Sequence, residues 1–362
     1  MARPRIKDVA RLAGVSEKTV SNVLNDYVHV SEATRQAVRQ AIDELGYRVN
    51  LAGRHLRRGR TGILALVVPG LAMPYFGELA DLVVREAEQR SHTVLVHQTH
   101  GEGDRELAAL DGFGSDFADG VILSPLALTR QDLRRRDPAL PVVLLGEAVE
   151  QGVADHVAID NERAAREATA HLLALGRRRI AVLGGREAPG PGTAEARTRG
   201  YRAALAAAGL PHDPALVRPV PGFLMPEGAR AAAELLGGPR PPDALLCLND
   251  ELALGALRAA HEAGLRVPRD IAVAGFDDVE RGHFSVPTLT TVSPDKAALA
   301  RLAVELLLDR VGAAQRTGAA QRTGAARRTG AAGEREPEPP RERVVPHRLV
   351  VRESTGGPPP GA

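Results

Sequence analysis

Apolar positions in the first fifty residues recur at helical spacing. Ile6, Val9, Ala10 and Ala13 mark one face of a first helix. Gly14 allows a sharp turn, because glycine takes positive φ without a Cβ penalty. Ser16 is placed to cap a second helix, with Glu17 in the first turn, where the helix dipole favours negative charge. Val20, Val23 and Leu24 turn inward there, so Glu17, Lys18, Ser21 and Asn22 share the outer face. A third helix opens at Ser31, buries Val38, Ala41, Ile42 and Leu45, and stops at Gly46.

From Thr61 the pattern changes to short apolar runs alternating with amphipathic stretches. Strands are predicted at Ile63–Val68, Thr93–His97, Gly120–Leu123, Val142–Leu145, Ile180–Leu183, Ala244–Leu248 and Ile271–Gly275. Helices are predicted at Tyr75–Gln89, Arg163–Leu175, Ala194–Ala208, Met225–Leu236, Glu251–Ala263 and Lys296–Val311. Such alternation implies parallel sheets covered by helices on both faces. Ligands of these folds sit at the C-terminal strand ends or between two lobes.

Charge sharpens the picture. Residues 1–60 carry twelve Lys/Arg against six Asp/Glu, a net +6, whereas the whole chain is +2, so the remainder is −4. A basic end on an acidic body points to a polyanion partner. Three short helices with this turn match a helix-turn-helix, whose second helix lies in the major groove. Lys18 is placed to donate to guanine, Asn22 to pair with adenine and Glu17 to accept from cytosine. A small helical bundle with a solvated polar face is the plainer alternative, which the charge balance disfavours.

Composition excludes other classes. The 362 residues hold no apolar run longer than a strand, so no membrane span is expected. A basic, polar N-terminus predicts a cytoplasmic protein. The single cysteine, Cys247, falls in a strand and permits no intrachain disulfide. Phosphate-loop, dinucleotide, nucleophile-elbow and zinc-protease motifs are missing, and the eleven histidines lack ligand spacing. Neither catalysis nor a cofactor nor a metal is expected. The stretch Gly184–Gly192 lacks a phosphate-loop lysine and reads as a loop beside the ligand pocket.

The motifs I-K-D-V-A at Ile6–Ala10, A-G-V-S at Ala13–Ser16, T-V-S-N-V-L-N at Thr19–Asn25 and L-G-Y at Leu45–Tyr47 resemble those of the LacI family of bacterial regulators, over nearly the whole chain. The resemblance implies an all-α helix-turn-helix reader at 1–46, a hinge at 47–60 and a two-lobed α/β core like periplasmic binding proteins at 61–355. Lobe one is expected at about 61–160 plus 290–311, and lobe two at about 161–289 plus 343–355. A flexible insert is expected at 312–340.

DNA contacts are then expected from Lys7, Ser16, Glu17, Lys18, Thr19, Ser21, Asn22, Asn25 and His29, and from Asn50, Arg54, Leu56 and Arg57 in the hinge. Leu56, flanked by arginines, corresponds to the leucine that wedges into the minor groove. Expected effector contacts are Tyr75, Phe76, Ser124, Asp160, Arg197, Phe223, Asn249 and Asp277. Asn161 lies near the lobe crossover, and Met73 stands where relatives carry asparagine. Carboxylates, an amide, an arginine fork and an aromatic face suit a sugar. Capping or lobe bridging by the same polar residues is the other reading.

The implied function is an effector-responsive repressor of carbohydrate genes, dimeric on a near-palindromic operator and released by a sugar. The alternative is a corepressor-driven regulator answering a nucleobase or phosphorylated metabolite. No leucine heptad closes the chain, which favours a dimer over a coiled-coil tetramer. Residues 312–329 repeat a hexamer (GAAQRT, GAAQRT, GAARRT), a low-complexity run read as a neutral surface expansion. An arm contacting DNA through Arg316, Arg322, Arg327 and Arg328 is the other reading, and deleting 312–333 without changing the salt dependence of DNA affinity removes it.

Two departures concern the hinge: Val49 replaces the family's proline and Gly53 its alanine. Glycine costs about 1 kcal/mol in a helix interior, and a lost proline removes a pre-set φ. The hinge helix is therefore expected to form less readily off DNA than in relatives. A stable hinge helix seen by NMR in the free protein contradicts this.

Overall fold

This computed structural model describes residues 4–24, 27, 29–47, 61–113, 117–146, 152–188, 190, 192–322 and 338–356. The chain divides into two compact units, Met1–Thr61 and Gly62–Ala362. The expected hinge residues Asn50, Arg54, Leu56 and Arg57, the substitutions Val49 and Gly53, and the contact Asn25 lie outside the described residues.

The first unit holds helices α1 (Ile6–Leu12), α2 (Glu17–Leu24) and α3 (Glu32–Leu45). Their apolar stripes meet in a small core of Val9, Ala10, Val20, Val23, Val38 and Ala41. Gly14 takes φ +64°, as the turn between α1 and α2 requires. The Ser16 hydroxyl accepts the Thr19 N–H at 3.1 Å, and Ser31 caps α3 through the Thr34 N–H. Each predicted cap thus satisfies a helix-start donor.

The second unit contains two six-stranded sheets. The first takes β1 (Ile63–Val68), β2 (Thr93–Gln98), β3 (Gly120–Leu123), β4 (Val142–Leu145), β5 (Asp155–Ile159) and β11 (Glu342–Val345), in the order β11-β5-β4-β3-β1-β2. The second takes β6 (Ile180–Leu183), β7 (Val217–Arg218), β8 (Ala244–Cys247), β9 (Ala272–Phe276), β10 (Thr290–Pro294) and β12 (His347–Val350), in the order β12-β10-β9-β8-β6-β7. Only β10 and β12 pair antiparallel among the described pairings. Strands such as Leu64–Val68 are buried end to end, as expected for sheets covered on both faces.

The helices that cover the sheets are α4 (Pro74–Glu88), α5 (Gly103–Gly112), α6 (Arg130–Arg135), α7 (Asn161–Ala174), α8 (Thr193–Ala207), α9 (Met225–Leu236), α10 (Asp250–Glu262), α11 (Glu280–His283) and α12 (Lys296–Arg322). α9 and α10 approach through small residues: a Cβ at Gly255 would lie 2.1 Å from the Met225 carbonyl oxygen.

Among the described residues the chain passes between the sheets three times, at Asp160, Asp295 and Pro346. Two of these points are tied by the Asp295 N–H donating to the Pro346 carbonyl at 3.1 Å. This corrects two expected boundaries. Thr290–Pro294, expected in lobe one, belongs to the second sheet, where Thr290 registers with Ala274. Residues 343–345, expected in lobe two, belong to Glu342–Val345, an edge strand of the first, where Glu342 registers with His156. Backbone pairing decided both, and apolar periodicity does not encode pairing.

The insert also differs from expectation. Helix α12 continues through the first hexamer to Arg322, because alanine, glutamine and arginine propagate a helix already nucleated at Lys296. Residues 323–337 lie outside the described residues.

The two sides of the insert are fastened at Asp155, whose side chain is fully buried. Arg310 donates to it at 2.6 Å and 3.0 Å. Arg341 adds its backbone N–H at 2.8 Å and its guanidinium at 2.8 Å and 3.1 Å. Burial alone would raise the carboxyl pKa, but the hydrogen bonds from Arg310 and Arg341 hold it below the usual carboxylate value. Asp155→Ala removes the buried anion shared by two partly buried cations, leaving Arg341 with Asp309 and Arg310 with the Glu338 and Pro339 carbonyls, and is expected to cost the second unit about 3 kcal/mol. Urea unfolding monitored by circular dichroism measures this, and a loss below about 1 kcal/mol shows that the cluster is not fastening the fold.

Candidate functional site

On the first unit, Lys7, Ser16, Glu17, Lys18 and His29 are exposed, while Thr19, Ser21 and Asn22 are half-buried. Lys18 and Asn22 lie four residues apart on α2, one turn along the same face. The Ser16 and Thr19 hydroxyls are 2.8 Å apart at the start of that helix. His29 packs edge-on against Tyr27, with ring centroids 5.4 Å apart. The two valines Val20 and Val23 fix the opposite face of α2 in the core. A short helix anchored by its apolar side thus presents a polar side of donors and acceptors.

The second unit holds a cavity of about 220 Å³ at the C-terminal ends of its strands, between the two sheets. Tyr75 and Phe76 enter it from the first turn of α4, and Ser124 from the end of β3. Arg197, Phe223, Asn249 and Asp277 line it from the second sheet's side. Seven of the eight expected effector residues are therefore brought together. The eighth, Asp160, is not. It is exposed and caps α7, accepting the Arg163 N–H at 2.9 Å. Its neighbour Asn161 lines the cavity instead, because the crossing into α7 turns consecutive side chains to different sides.

Arg197 organises the floor. Its Nε donates to Asn161 Oδ1 at 2.8 Å and its Nη1 to the Leu248 carbonyl. Its Nη2 lies 3.9 Å from Asp277 Oδ1, and the guanidinium covers the Phe276 ring at 4.1 Å. The fork is thereby fixed in orientation beside the Asp277 carboxylate. Asn249 has a structural duty too. Its Oδ1 accepts the Leu252 N–H at 2.9 Å as the cap of α10, and its Nδ2 donates to the Phe223 carbonyl at 2.9 Å.

Asp277 occupies a strained turn, at φ +107°, followed by Asp278 at φ +50°. For residues other than glycine this conformation persists only where the surroundings enforce it. Buried Asp250 does so, accepting the Val279 N–H at 2.9 Å and the Thr291 hydroxyl at 2.6 Å. Burial, with Asp277 close by, drives the Asp250 carboxyl well above its ordinary pKa.

Burial likewise raises the Asp277 carboxyl to about 7. Arg197 and Lys296 pull it down, and Glu78 and Glu251 push it up. The Tyr75 phenol is raised by its burial and by Asp277. Glu78 of α4 also reaches the second sheet's side, accepting the Glu280 N–H at 3.0 Å and the Lys296 ammonium.

The sequence reading missed Arg186, Thr193 and Glu195, which line the same cavity. Thr193 and Glu195 open α8, four and two residues before Arg197, and Arg186 lies in the glycine-rich loop that precedes that helix. Among the described residues no His, Cys, Asp or Glu cluster is arranged to hold a metal, and no helix is long and apolar enough to cross a membrane.

The comparisons follow the same division of the chain. Residues 5–50 match the profile of bacterial regulatory proteins of the lacI family, and residues 169–355 that of the periplasmic binding protein-like domain. The ribose operon repressor of Escherichia coli K12 is 34% identical over 308 residues, 84% of this chain and 92% of that protein. The HTH-type transcriptional repressor PurR of Vibrio atlanticus is 31% identical over 309 residues, 84% and 91% respectively. The crystal structure of the lac repressor dimer, bound to operator and the anti-inducer ONPF, superposes with a TM-score of 0.80 at 27% identity, covering 98% of this chain and 99% of that one.

A pH dependence follows from Asp277. A hydroxyl-bearing ligand donates to the ionised carboxylate, so binding favours deprotonation. With a carboxyl pKa of about 7 in the free protein, effector affinity is expected to rise about tenfold between pH 6 and pH 8 and then level off. Calorimetric titration across that range measures it. A flat profile, or one that falls with pH, contradicts the assignment of Asp277 as an acceptor.

Proposed function

The chain belongs to the LacI family of bacterial regulatory proteins, and we propose that it represses genes of carbohydrate uptake or breakdown until a one-ring sugar fills its cavity. It is an effector-responsive DNA-binding repressor that acts as a homodimer on operator DNA. A two-fold dimer calls for a near-palindromic site, with one α2 for each half. The cytoplasm is its working place, and it carries out no catalysis.

One observation carries the sugar reading: Asp277, Arg197 and Asn161 converge beside Tyr75, Phe76 and Phe223 in a single cavity. Carboxylate and amide oxygens accept from neighbouring hydroxyls, the arginine fork donates, and aromatic faces cover C–H surface. The volume of about 220 Å³ falls below the roughly 300–1,000 Å³ of drug-sized pockets, which supports one ring over an oligosaccharide. The ribose operon repressor points the same way.

The PurR relative favours a second reading, a nucleobase corepressor stacked on the same aromatic rings. The sign separates them, since an inducer weakens operator binding and a corepressor strengthens it. In either case DNA and effector alter each other's affinity by the same factor.

In this reading residues 1–46 read the major groove, 47–60 form the hinge with Leu56 as wedge, and the core senses the effector through movement of its two lobes. Tyr75, Phe76, Ser124, Asn161, Arg197, Phe223, Asn249 and Asp277 are the effector residues, and Asp160 is set aside as a helix cap. Lys18 and Asn22 are the base-reading residues.

In vitro selection from a genomic pool is expected to return a two-fold symmetric site. On that site Lys18→Ala and Asn22→Ala are each expected to weaken binding by about 1–3 kcal/mol. Retained affinity in both variants sinks the assignment of α2 as the reader. Ribose is expected to release the operator, and release by a nucleobase but by no sugar would overturn the effector reading.

A further inference from the structure

The cavity contains a carboxylate that sugar recognition has not used. Glu195, in the first turn of α8, is only 4% exposed and lines the cavity. Among the described residues its Oε2 is buried without a hydrogen-bond partner. Among the same residues its Oε1 has only Arg199, at 3.8 Å, and that arginine is half exposed and closer to Glu162, at 3.0 Å. A buried carboxylate left this short of partners is costly.

Its surroundings give the charge a purpose. The cap of α8 is Gly192, at φ +115°, which supplies no side-chain acceptor. First-turn N–H groups of a helix lack intrahelical partners and attract anions, and Gly192, Thr193 and Ala194 all line the cavity. Arg186 lines it as well and is exposed. The charged lining residues are Arg186 and Arg197 against Glu195 and Asp277. Without Glu195 the lining would carry a net positive charge beside an uncapped helix start, which is an anion site.

We infer that Glu195 is a charge filter, which makes this cavity accept a neutral hydroxyl-bearing ligand and reject its phosphate ester. The inference rests on the sugar reading above and narrows it. It also assigns Glu195 a duty separate from that of Asp277. Asp277 accepts hydroxyls at the floor, whereas Glu195 cancels the pull of the α8 N-terminus and of Arg186.

The test uses the full-length protein and inorganic phosphate as probe, titrated calorimetrically. Glu195→Gln keeps the shape and removes the charge, and its phosphate affinity is expected to be at least tenfold higher than that of the unsubstituted protein. Glu195→Asp keeps the charge and is expected to continue rejecting phosphate, which separates charge from a packing defect. Adding Arg186→Ala to Glu195→Gln is expected to abolish the gain, which locates the phosphate in the cavity.

Equal phosphate affinity in the unsubstituted protein and Glu195→Gln overturns the filter, as does a gain that survives Arg186→Ala. A second arm compares ribose with ribose 5-phosphate on the unsubstituted protein. Tighter binding of the phosphate ester also overturns the filter. Binding of neither sugar overturns the sugar reading instead, while the phosphate comparison still decides the role of Glu195.

Discussion

The larger unit depends on one constraint: the described chain crosses between its two sheets at three points, Asp160, Asp295 and Pro346. Asp295 and Pro346 are hydrogen-bonded to each other, which ties two of the crossings together. A parallel sheet leaves its C-terminal strand ends open to loops and helix starts. Two such sheets joined at those ends enclose a cavity whose walls come from both. Tyr75, Phe76 and Ser124 on one side thereby meet Arg197, Asn249 and Asp277 on the other.

In the proposed reading the same arrangement lets a ligand be felt by the whole unit. Glu78 joins the Glu280 N–H and Lys296, so the first sheet's α4 is already bonded across the opening. Asp277 is held in a strained turn by Asp250 through Val279 and Thr291, and it senses both Lys296 and Glu78 electrostatically. A ligand that takes over the Asp277 carboxylate therefore alters the balance around the bridging group. In the proposed reading the cavity is a recognition site and a joint in one, and an effector shifts an equilibrium only through such differences.

Asp155 shows how the fold tolerates its insert. Arg310 and Arg341, on opposite sides of the inserted repeat, converge on that one buried carboxylate. The closing strands β11 and β12 are fixed by this cluster and by their pairing with β5 and β10. Whatever the length of sequence between them, its two ends meet at the same point, and extra loop length adds little entropy cost.

The sequence by itself determined the local layer of this protein. Caps at Ser16 and Ser31, the turn at Gly14 and the buried runs such as Leu64–Val68 are decided within a few residues by hydrogen bonding, φ preference and apolar period. The reader's polar face at Lys18 and Asn22 was legible for that reason, and the motifs of Ile6–Asn25 carried the family. Tertiary structure alone decided what depends on partners far along the chain. The short strands β5, β7 and β11 exist because a neighbour offers a ladder, and strand pairing moved Thr290–Pro294 to the second sheet and Glu342–Val345 to the first. Whether Asp160 or Asn161 faces the cavity turned on how one crossing enters α7. Glu195 drew no notice in the sequence, since a lone glutamate in a helix usually lies in water. Only the fold buries its carboxylate beside the cavity, and burial of that kind is a property of the assembled lobes.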